Sequence, residues 1–206
     1  MKKNYISHYL PDFRVSQNEK YVVLEKGALY DPDYSLVIKS LDTIEDAFVL
    51  KMPEISQKHY GNDGPLGSFG MWDWKDNDRY FWSDIYAAAD TMGYLRIDTT
   101  DWSWNFFEAP PGAMGGFEPD LETGWMPYVP SAVWTGVEQL DDQVREEAGA
   151  DGKISILYIY NLFTKEKIKI DETAADPIWS FGPPSLSGDT LSYTMPDGEK
   201  KVYEMK

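Results

Sequence analysis

Cysteine is absent from the 206 residues, and histidine occurs only as His8 and His59. Without thiolates, the chain has no disulfide, no cysteine-ligated zinc and no thiol nucleophile. Two imidazoles are scant material for a Ser-His-Asp arrangement or a histidine metal centre. We therefore predict no cofactor, no metal site and no catalytic residue of these types.

Long apolar runs and basic residues are also scarce. No apolar stretch approaches the roughly 18 residues of a membrane span, and none follows the two lysines of the opening MKKNYISHYL. There are 19 Lys and Arg against 35 Asp and Glu, a formal net charge of −16. Because such a chain repels phosphate backbones and anionic lipid, we expect no nucleic-acid partner and no membrane insertion. The compartment stays open: periplasmic or extracellular if a leader was removed, cytoplasmic otherwise.

Aromatic residues, by contrast, are abundant, with 8 Trp, 14 Tyr and 9 Phe, and this composition favours strands. Alternating segments bounded by Gly, Pro, Asn and Asp form successive meanders, each preceded by one more short apolar segment. The predicted strands are 21–27, 35–42 and 46–53, then 79–87, 93–101 and 104–110, then 131–137, 154–164 and 167–172, and finally a partial copy in 190–205. The preceding segments are 12–16, 68–74, 124–129 and 176–181.

The preceding segments recur roughly every 50–56 residues, an interval typical of propeller blades. A four-stranded sheet that is apolar on both faces must stack against another sheet. We therefore predict an all-β fold, a small β-propeller of about four four-stranded blades, in a single domain over 1–206. Three arrangements remain open: a ring closed by residues 4–10 pairing beside 201–205, a fragment of a larger propeller, or a pair of copies.

Several turns carry a family resemblance. RVSQNEKYVVLEKG, SLVIKSLDTIEDAFVL and LYIYNLFTKEKIKI resemble the blades of TolB-type, WD-repeat-like propellers, in which a Trp-Ser-Pro-Asp-Gly-Lys turn precedes an apolar strand. The matching turn here is Ser16–Lys20, and Asn161–Thr164 matches the family's Asp-Leu-x-Thr hairpin. Neither of these two turns has the full Pro-Asp-Gly. The resemblance implies the fold and no particular activity.

The stretch WDWKDNDRYFW, residues 72–82, allows two interpretations. Its aromatic rings and carboxylates could contact a ligand. Alternatively, Trp72, Trp74, Tyr80 and Trp82 pack between blades, while residues 76–78 make a turn, since Asn and Asp tolerate left-handed backbone. We favour core and turn, and we interpret this and the other acidic clusters as turns rather than calcium sites, because none follows the ligand spacing of a calcium loop.

Catalytic motifs are not evident. GPLGSFG resembles a nucleophile elbow but has Leu66 where a glycine is needed, and GAMGGFEP lacks the lysine of a phosphate loop. Paired carboxylates of a glycoside hydrolase remain an alternative, although nothing selects a pair among 35 acids. We therefore favour a protein that is not an enzyme.

Three long connections predict a binding face, because long loops in compact domains are commonly functional. They are 54–67, 111–124 and 138–153, and in the last one Asp141 and Asp142 predict the start of a short helix that stops at Gly149. The candidate ligand contacts are His59, Tyr60, Asp63, Phe117, Glu118 and Asp120.

These features favour a non-catalytic propeller that recognises a protein or peptide through this face. A carbohydrate-binding, lectin-like propeller is the alternative, because Trp and Tyr stack on sugar rings. A homodimer is a further arrangement compatible with the sequence.

The closed ring has a direct test. Removing residues 1–11 should expose a sheet edge beside 201–205 and cause aggregation or loss of a cooperative thermal transition, measured by circular dichroism. An unchanged melting curve would contradict closure by residues 4–10.

Overall fold

The computed structural model describes residues 15–27, 33–60, 66–87, 92–110, 119–120, 122–130, 142–148, 154–174 and 181–205. The chain divides into two compact units, Met1–Phe107 and Glu108–Lys206. Each unit contains two sheets of consecutive strands and a hydrophobic cluster of its own. The fold is all-β and propeller-like, as predicted. Neither helix in the described part of the chain is long and apolar enough to cross a membrane.

The first unit contains one three-stranded and one four-stranded sheet. The first sheet comprises β1 (Tyr21–Lys26), β2 (Ser35–Ser40) and β3 (Asp46–Lys51). Helix α1 (Met52–Tyr60) follows, and the second sheet comprises β4 (Leu66–Lys75), β5 (Tyr80–Ala87), β6 (Met92–Asp98) and β7 (Trp104–Glu108). The prediction of a loop over 54–67 is therefore wrong, because α1 occupies 52–60 and β4 begins at 66. Met52 and Ile55 of α1 are buried and pack the helix against the core.

The second unit contains two three-stranded sheets among the residues described. One comprises β8 (Trp125–Tyr128), β9 (Ile154–Asn161) and β10 (Lys167–Ala174), with helix α2 (Asp142–Ala148) between β8 and β9. The other comprises β11 (Gly182–Ser187), β12 (Thr190–Thr194) and β13 (Lys200–Glu204). The predicted strand 131–137 lies outside the described residues, as does the predicted segment 176–181 except for its last residue, and β8 pairs directly with β9.

One backbone hydrogen bond recurs in all four sheets and aligns their strands. An N–H just after β2, β6, β9 and β13 donates to the carbonyl just before β1, β5, β8 and β12, respectively. The four bonds are Leu41 to Lys20, Thr99 to Arg79, Leu162 to Gly124 and Met205 to Asp189, each 2.8 Å long. Because β8 is thereby equivalent to β1 and β5, the segment 124–129 is the second strand of its repeat and not the innermost strand that we predicted.

The same alignment shows which positions in the repeat are occupied. Strands β4 and β11 are first strands, and in the first repeat Val15 forms a bridge with Val22 at this position. Outer strands β3, β7 and β10 follow β2, β6 and β9. Within the described ranges, β13 has no such outer neighbour. Residues 4–10, which we predicted to fill this place, lie outside the described part of the chain.

The core of the first unit shows what the aromatic stretch does. Trp74 is 2% exposed, stacks on Tyr21 with ring centroids 5.7 Å apart, and meets Phe81 edge-on at 5.2 Å. Trp82 is 4% exposed on the other face of the sheet, stacked on Phe107 at 5.9 Å. The core interpretation is therefore confirmed for both tryptophans.

The turn within that stretch is also structural, in a way that the sequence did not indicate. Asp76, Asn77 and Asp78 all have positive φ, between 51° and 69°, as predicted. Asp78, however, is only 2% exposed. Its Oδ1 accepts the backbone N–H of Gln17 at 2.6 Å and its Oδ2 accepts that of Asn18 at 2.8 Å. The carboxylate therefore ties the turn of the first repeat to that of the second.

Replacing Asp78 by Asn should lower the free energy of unfolding by about 1–3 kcal/mol, because an amide cannot accept both N–H groups and carries no charge. Asp76→Asn, in the same turn but exposed, is the matched control and should change stability by less than about 0.5 kcal/mol. Urea unfolding measures both variants. Equal stability of the two would contradict the role assigned to Asp78.

The sheets of the second unit share an apolar cluster and a polar clamp. Leu157 and Ile159 of β9 pack with Leu191 and Tyr193 of β12. Beside them, Asp171 Oδ2 accepts hydrogen bonds from Tyr193 Oη at 2.9 Å and Lys201 Nζ at 2.8 Å. Burial and the bond to Asp171 raise the pKa of Tyr193 to about 12. Burial alone would raise the pKa of Asp171, but the bonds from Lys201, Glu172 N–H and Tyr193 outweigh it and lower that pKa.

A pH dependence follows for this clamp. A carboxyl whose pKa is lower in the folded than in the unfolded protein contributes stability above its ordinary value of 3.8 and loses it as pH falls through the folded value. Asp171→Asn should therefore be less stable than wild type at neutral pH, on the order of 1 kcal/mol. The difference should shrink in acid, as measured by urea unfolding at several pH values. A difference independent of pH, or one matched by Asp42→Asn in an exposed turn, would contradict the clamp.

Candidate functional site

The predicted ligand contacts are only partly within the described structure. His59 and Tyr60 end helix α1. Asp63, Phe117 and Glu118 lie outside the described residues. Asp120 Oδ1 accepts the N–H of Glu122 at 2.9 Å, so this side chain shapes the turn before β8. The role of all six residues in binding stays a prediction.

The short helix predicted in 138–153 is confirmed as α2, Asp142–Ala148. Val144 and Ala148 are buried, and Glu147 Oε2 accepts the hydroxyl of Tyr158 at 3.0 Å and meets Lys169 Nζ at 3.1 Å. The helix is thereby attached to β9 and β10. Since α2 follows the end of β8 and the turn of Asp120 precedes its start, the two lie at opposite ends of that strand.

An open cavity of about 510 Å³ lies at the hairpin edge of the second unit. Its lining combines two aromatic rings, two apolar side chains and three carboxylates. These are Trp125 and Tyr203, Ile168 and Met205, and Glu166, Asp189 and Glu204. We call this the acidic–aromatic cavity. Its volume falls within the range of small-ligand sites, which is about 300–1,000 Å³.

Backbone hydrogen bonds hold the elements that line the cavity. Asp189 and Met205 are joined by the recurring bond, and Asn161 N–H donates to Glu166 O at 2.8 Å. Asp120 N–H donates to Trp125 O at 2.7 Å. Asp120, predicted as a ligand contact, therefore helps to position the tryptophan of the cavity.

Gly124 is required immediately before that tryptophan. Its φ is +80°, and a Cβ atom there would lie 2.7 Å from the ring of Phe163. Any larger residue would strain the backbone and displace the ring. The approach of the chain to Trp125 thus depends on this glycine.

The carboxylates of the cavity have no ion-pair partner in the part of the chain that the structure describes. Glu166, Asp189 and Glu204 are exposed and form no ion pair with any residue that the structure describes. One contact is recorded: Glu204 Oε2 accepts the hydroxyl of Thr190 at 3.1 Å. No three His, Asp or Glu within the described ranges form a group that could hold a metal ion. The three carboxylates therefore form an exposed acidic surface around the cavity.

Four lysines near these strands are engaged elsewhere. Lys165 donates to Glu108 O at 2.9 Å, and burial lowers its pKa. Lys167 lies over the ring of Tyr158 at 5.0 Å. Lys169 pairs with Glu147 and Glu172, and Lys201 pairs with Asp171. None of these four lysines forms an ion pair with a carboxylate of the cavity.

Trp125 was not singled out by sequence reasoning, which concentrated on 72–82. Trp74 and Trp82 are buried, whereas Trp125 is half-buried: it packs against the apolar cluster of the second unit and also lines the open cavity. The turn Asp120–Gly124 was the available signal. This turn stands immediately before Trp125, as Ser16–Lys20 stands immediately before β1. By that comparison, Trp125 is the first residue of a second strand and not part of an innermost strand.

Comparison with known proteins gives structural neighbours only. No protein-family model matches the chain, and no curated protein matches it either. An oligogalacturonate lyase from Vibrio parahaemolyticus is similar with a TM-score of 0.48 and 13% identity over 93% of this chain and 50% of that one. The β-propeller domain of the trilobed protease from Pyrococcus furiosus has a TM-score of 0.41 and 11% identity, covering 90% and 54%.

A prolyl endopeptidase structure is similar with a TM-score of 0.47 and 16% identity, covering 91% of this chain and 26% of that one. This chain thus spans about half the length of the lyase and the protease domain, and about a quarter of the endopeptidase. The propeller-like description of this chain rests on its own strand pairing.

Proposed function

We propose that this protein is a non-catalytic binding module that recognises a basic segment of a protein or peptide, with the acidic–aromatic cavity accepting a cationic side chain. The observation that carries the proposal is the pairing of Trp125 and Tyr203 with three carboxylates that have no cation among the described residues. An arginine or lysine side chain matches both features, because cations bind aromatic faces and carboxylates alike. The net charge of −16 would also attract such a partner from a distance.

Magnitudes show why a segment is needed rather than one residue. An exposed ion pair contributes about 0.2–1 kcal/mol and an exposed cation–π contact about 0.5–1 kcal/mol. Three pairs and one ring contact sum to about 1–4 kcal/mol, a dissociation constant of roughly 1 mM or weaker. Useful affinity therefore requires further contacts from neighbouring residues of the partner.

The repeat itself we assign to the TolB type. Ser16 Oγ accepts the N–H groups of Lys20 and Tyr21, both at 3.1 Å, in the turn that resembles the family. In the hairpin that resembles its Asp-Leu-x-Thr, Asn161 Oδ1 accepts the N–H of Phe163 at 2.9 Å and of Thr164 at 3.0 Å. These bonds support the assignment because they use the residues that carry the resemblance.

The binding test uses a fluorescent arginine- and lysine-rich peptide and the same peptide with glutamine at the basic positions. Wild type should bind the first and not the second, with affinity that falls as salt rises. Glu166→Gln/Asp189→Asn removes two carboxylates and should weaken binding about 2- to 30-fold. Fluorescence anisotropy reports the affinity, and the melting temperature should stay unchanged.

Glu45→Gln/Glu199→Gln is the matched control, because it removes two exposed carboxylates that do not line the cavity. It should bind like wild type apart from a small uniform charge effect. Equal loss in both double variants, or no binding by wild type, would contradict the proposal. If combined alanine substitution of Tyr60, Asp63, Phe117 and Glu118 alone abolishes binding, the predicted loop face is the interface instead.

A carbohydrate ligand is the second candidate, favoured by the half-buried ring of Trp125 in an open cavity. Aromatic faces stack on sugar rings while carboxylates accept hydroxyl groups. A neutral oligosaccharide should then bind with little dependence on salt, and Trp125→Ala should abolish its binding in calorimetric titration. Salt-sensitive peptide binding without sugar binding excludes this candidate.

A further inference from the structure

The outer edge of β13 has no strand partner among the described residues, whereas the corresponding edges in the other three repeats are paired. The recurring hydrogen bond makes β13 equivalent to β2, β6 and β9, which pair with β3, β7 and β10 on their outer sides. Among the residues described, β13 pairs with β12 alone. An open edge of this kind is a template for another strand.

The hydrogen bonds at the two ends of the β12–β13 ladder identify which backbone groups of β13 face outward. Met195 N–H donates to Glu199 O, and Met205 N–H donates to Asp189 O, at the two ends of the β12–β13 ladder. Bonded and non-bonded pairs alternate in an antiparallel ladder. The pairs of Lys201 and Tyr203 with β12 are therefore the bonded ones. The N–H and C=O groups of Lys200, Val202 and Glu204 point away from β12.

Side chains at the same three positions share one face. Lys200, Val202 and Glu204 are exposed, Val202 at 64%, while Lys201 and Tyr203 turn toward the other face. Lys200 forms no ion pair with a described residue. If two copies of β13 run antiparallel with their Val202 residues opposite each other, a lysine of one copy faces a glutamate of the other at each end. The strand is therefore complementary in charge to itself.

We propose that the protein forms a symmetric dimer in which β13 pairs antiparallel with β13 of a second copy, centred on Val202. Lys200 then lies opposite Glu204 of the partner subunit, and Glu204 lies opposite Lys200 of the partner subunit. Each of these pairs, and the central valine pair, exchanges two backbone hydrogen bonds through outward-facing groups. A two-fold axis through Val202 generates all of them, as a closed isologous interface requires.

Three features favour a second copy over other occupants. The charges match in a register that also aligns the outward backbone groups. Opposite charges directly across an antiparallel pair are stabilising, and like charges are destabilising. The central valines cover exposed apolar surface on each other. Because one short edge strand buries little area, the dimer should dissociate on dilution.

The test is the oligomeric state, measured by sedimentation equilibrium across a range of concentrations. Wild type should show a concentration-dependent mass rising toward twice the 23.6 kDa of the chain. Val202→Pro removes an outward N–H without breaking a β12–β13 bond, so it should be monomeric with an unchanged melting temperature. Val202→Thr is the matched control and should still dimerise. Neither Val202 nor Lys200 lines the acidic–aromatic cavity. Glu204 does, so in the dimer it pairs with Lys200 of the partner subunit and leaves Glu166 and Asp189 for a cationic ligand.

Charge exchange tests the register. Lys200→Glu alone and Glu204→Lys alone should each weaken the dimer at least tenfold, and the double variant should restore it to within a few-fold of wild type. A monomeric wild type at every concentration would overturn the proposal and leave the edge to another segment, such as residues 4–10 of the same chain. Dimerisation of Val202→Pro, or failure of the double variant to recover, would equally overturn it.

Discussion

One backbone hydrogen bond, repeated in each of the four described sheets, aligns the strands of every repeat. It joins the residue before the second strand to the residue after the third, so the turn between strands one and two lies beside the hairpin that follows strand three. In the first unit this places the turn of Asp78 next to Thr99, whose hydroxyl donates to Asp78 O at 2.9 Å. In the second unit it brings Asp189 to Met205 at the rim of the cavity.

The acidic residues separate into two groups by what meets them. Asp78, Asp171 and Glu147 accept hydrogen bonds from backbone or side-chain donors and hold elements together. Glu166 and Asp189 are exposed, with no ion pair among the described residues. Buried carboxylates must be satisfied internally, whereas exposed ones can remain available to a partner. Net charge alone does not distinguish these groups.

Local patterns predicted the strands well and their order less well. The alternation of apolar and polar residues predicted β1, β2, β5 and β9, because successive side chains of a strand point to opposite faces. The acidic start of α2 predicted that helix for a similar local reason. The place of 124–129 in its repeat was misread, because Asp120–Gly124 precedes its strand as Ser16–Lys20 precedes β1, but with different residues and a different internal hydrogen bond.

The sequence by itself determined the all-β class, the meander repeat and the acidity of the chain, since each depends on composition or on neighbours in the chain. Only the tertiary structure decided which carboxylates are structural and which tryptophan lines a cavity. The bond from Gln17 to Asp78 spans 61 positions. A donor and an acceptor that far apart in the sequence are brought together by sheet packing, and no local sequence pattern predicts the contact.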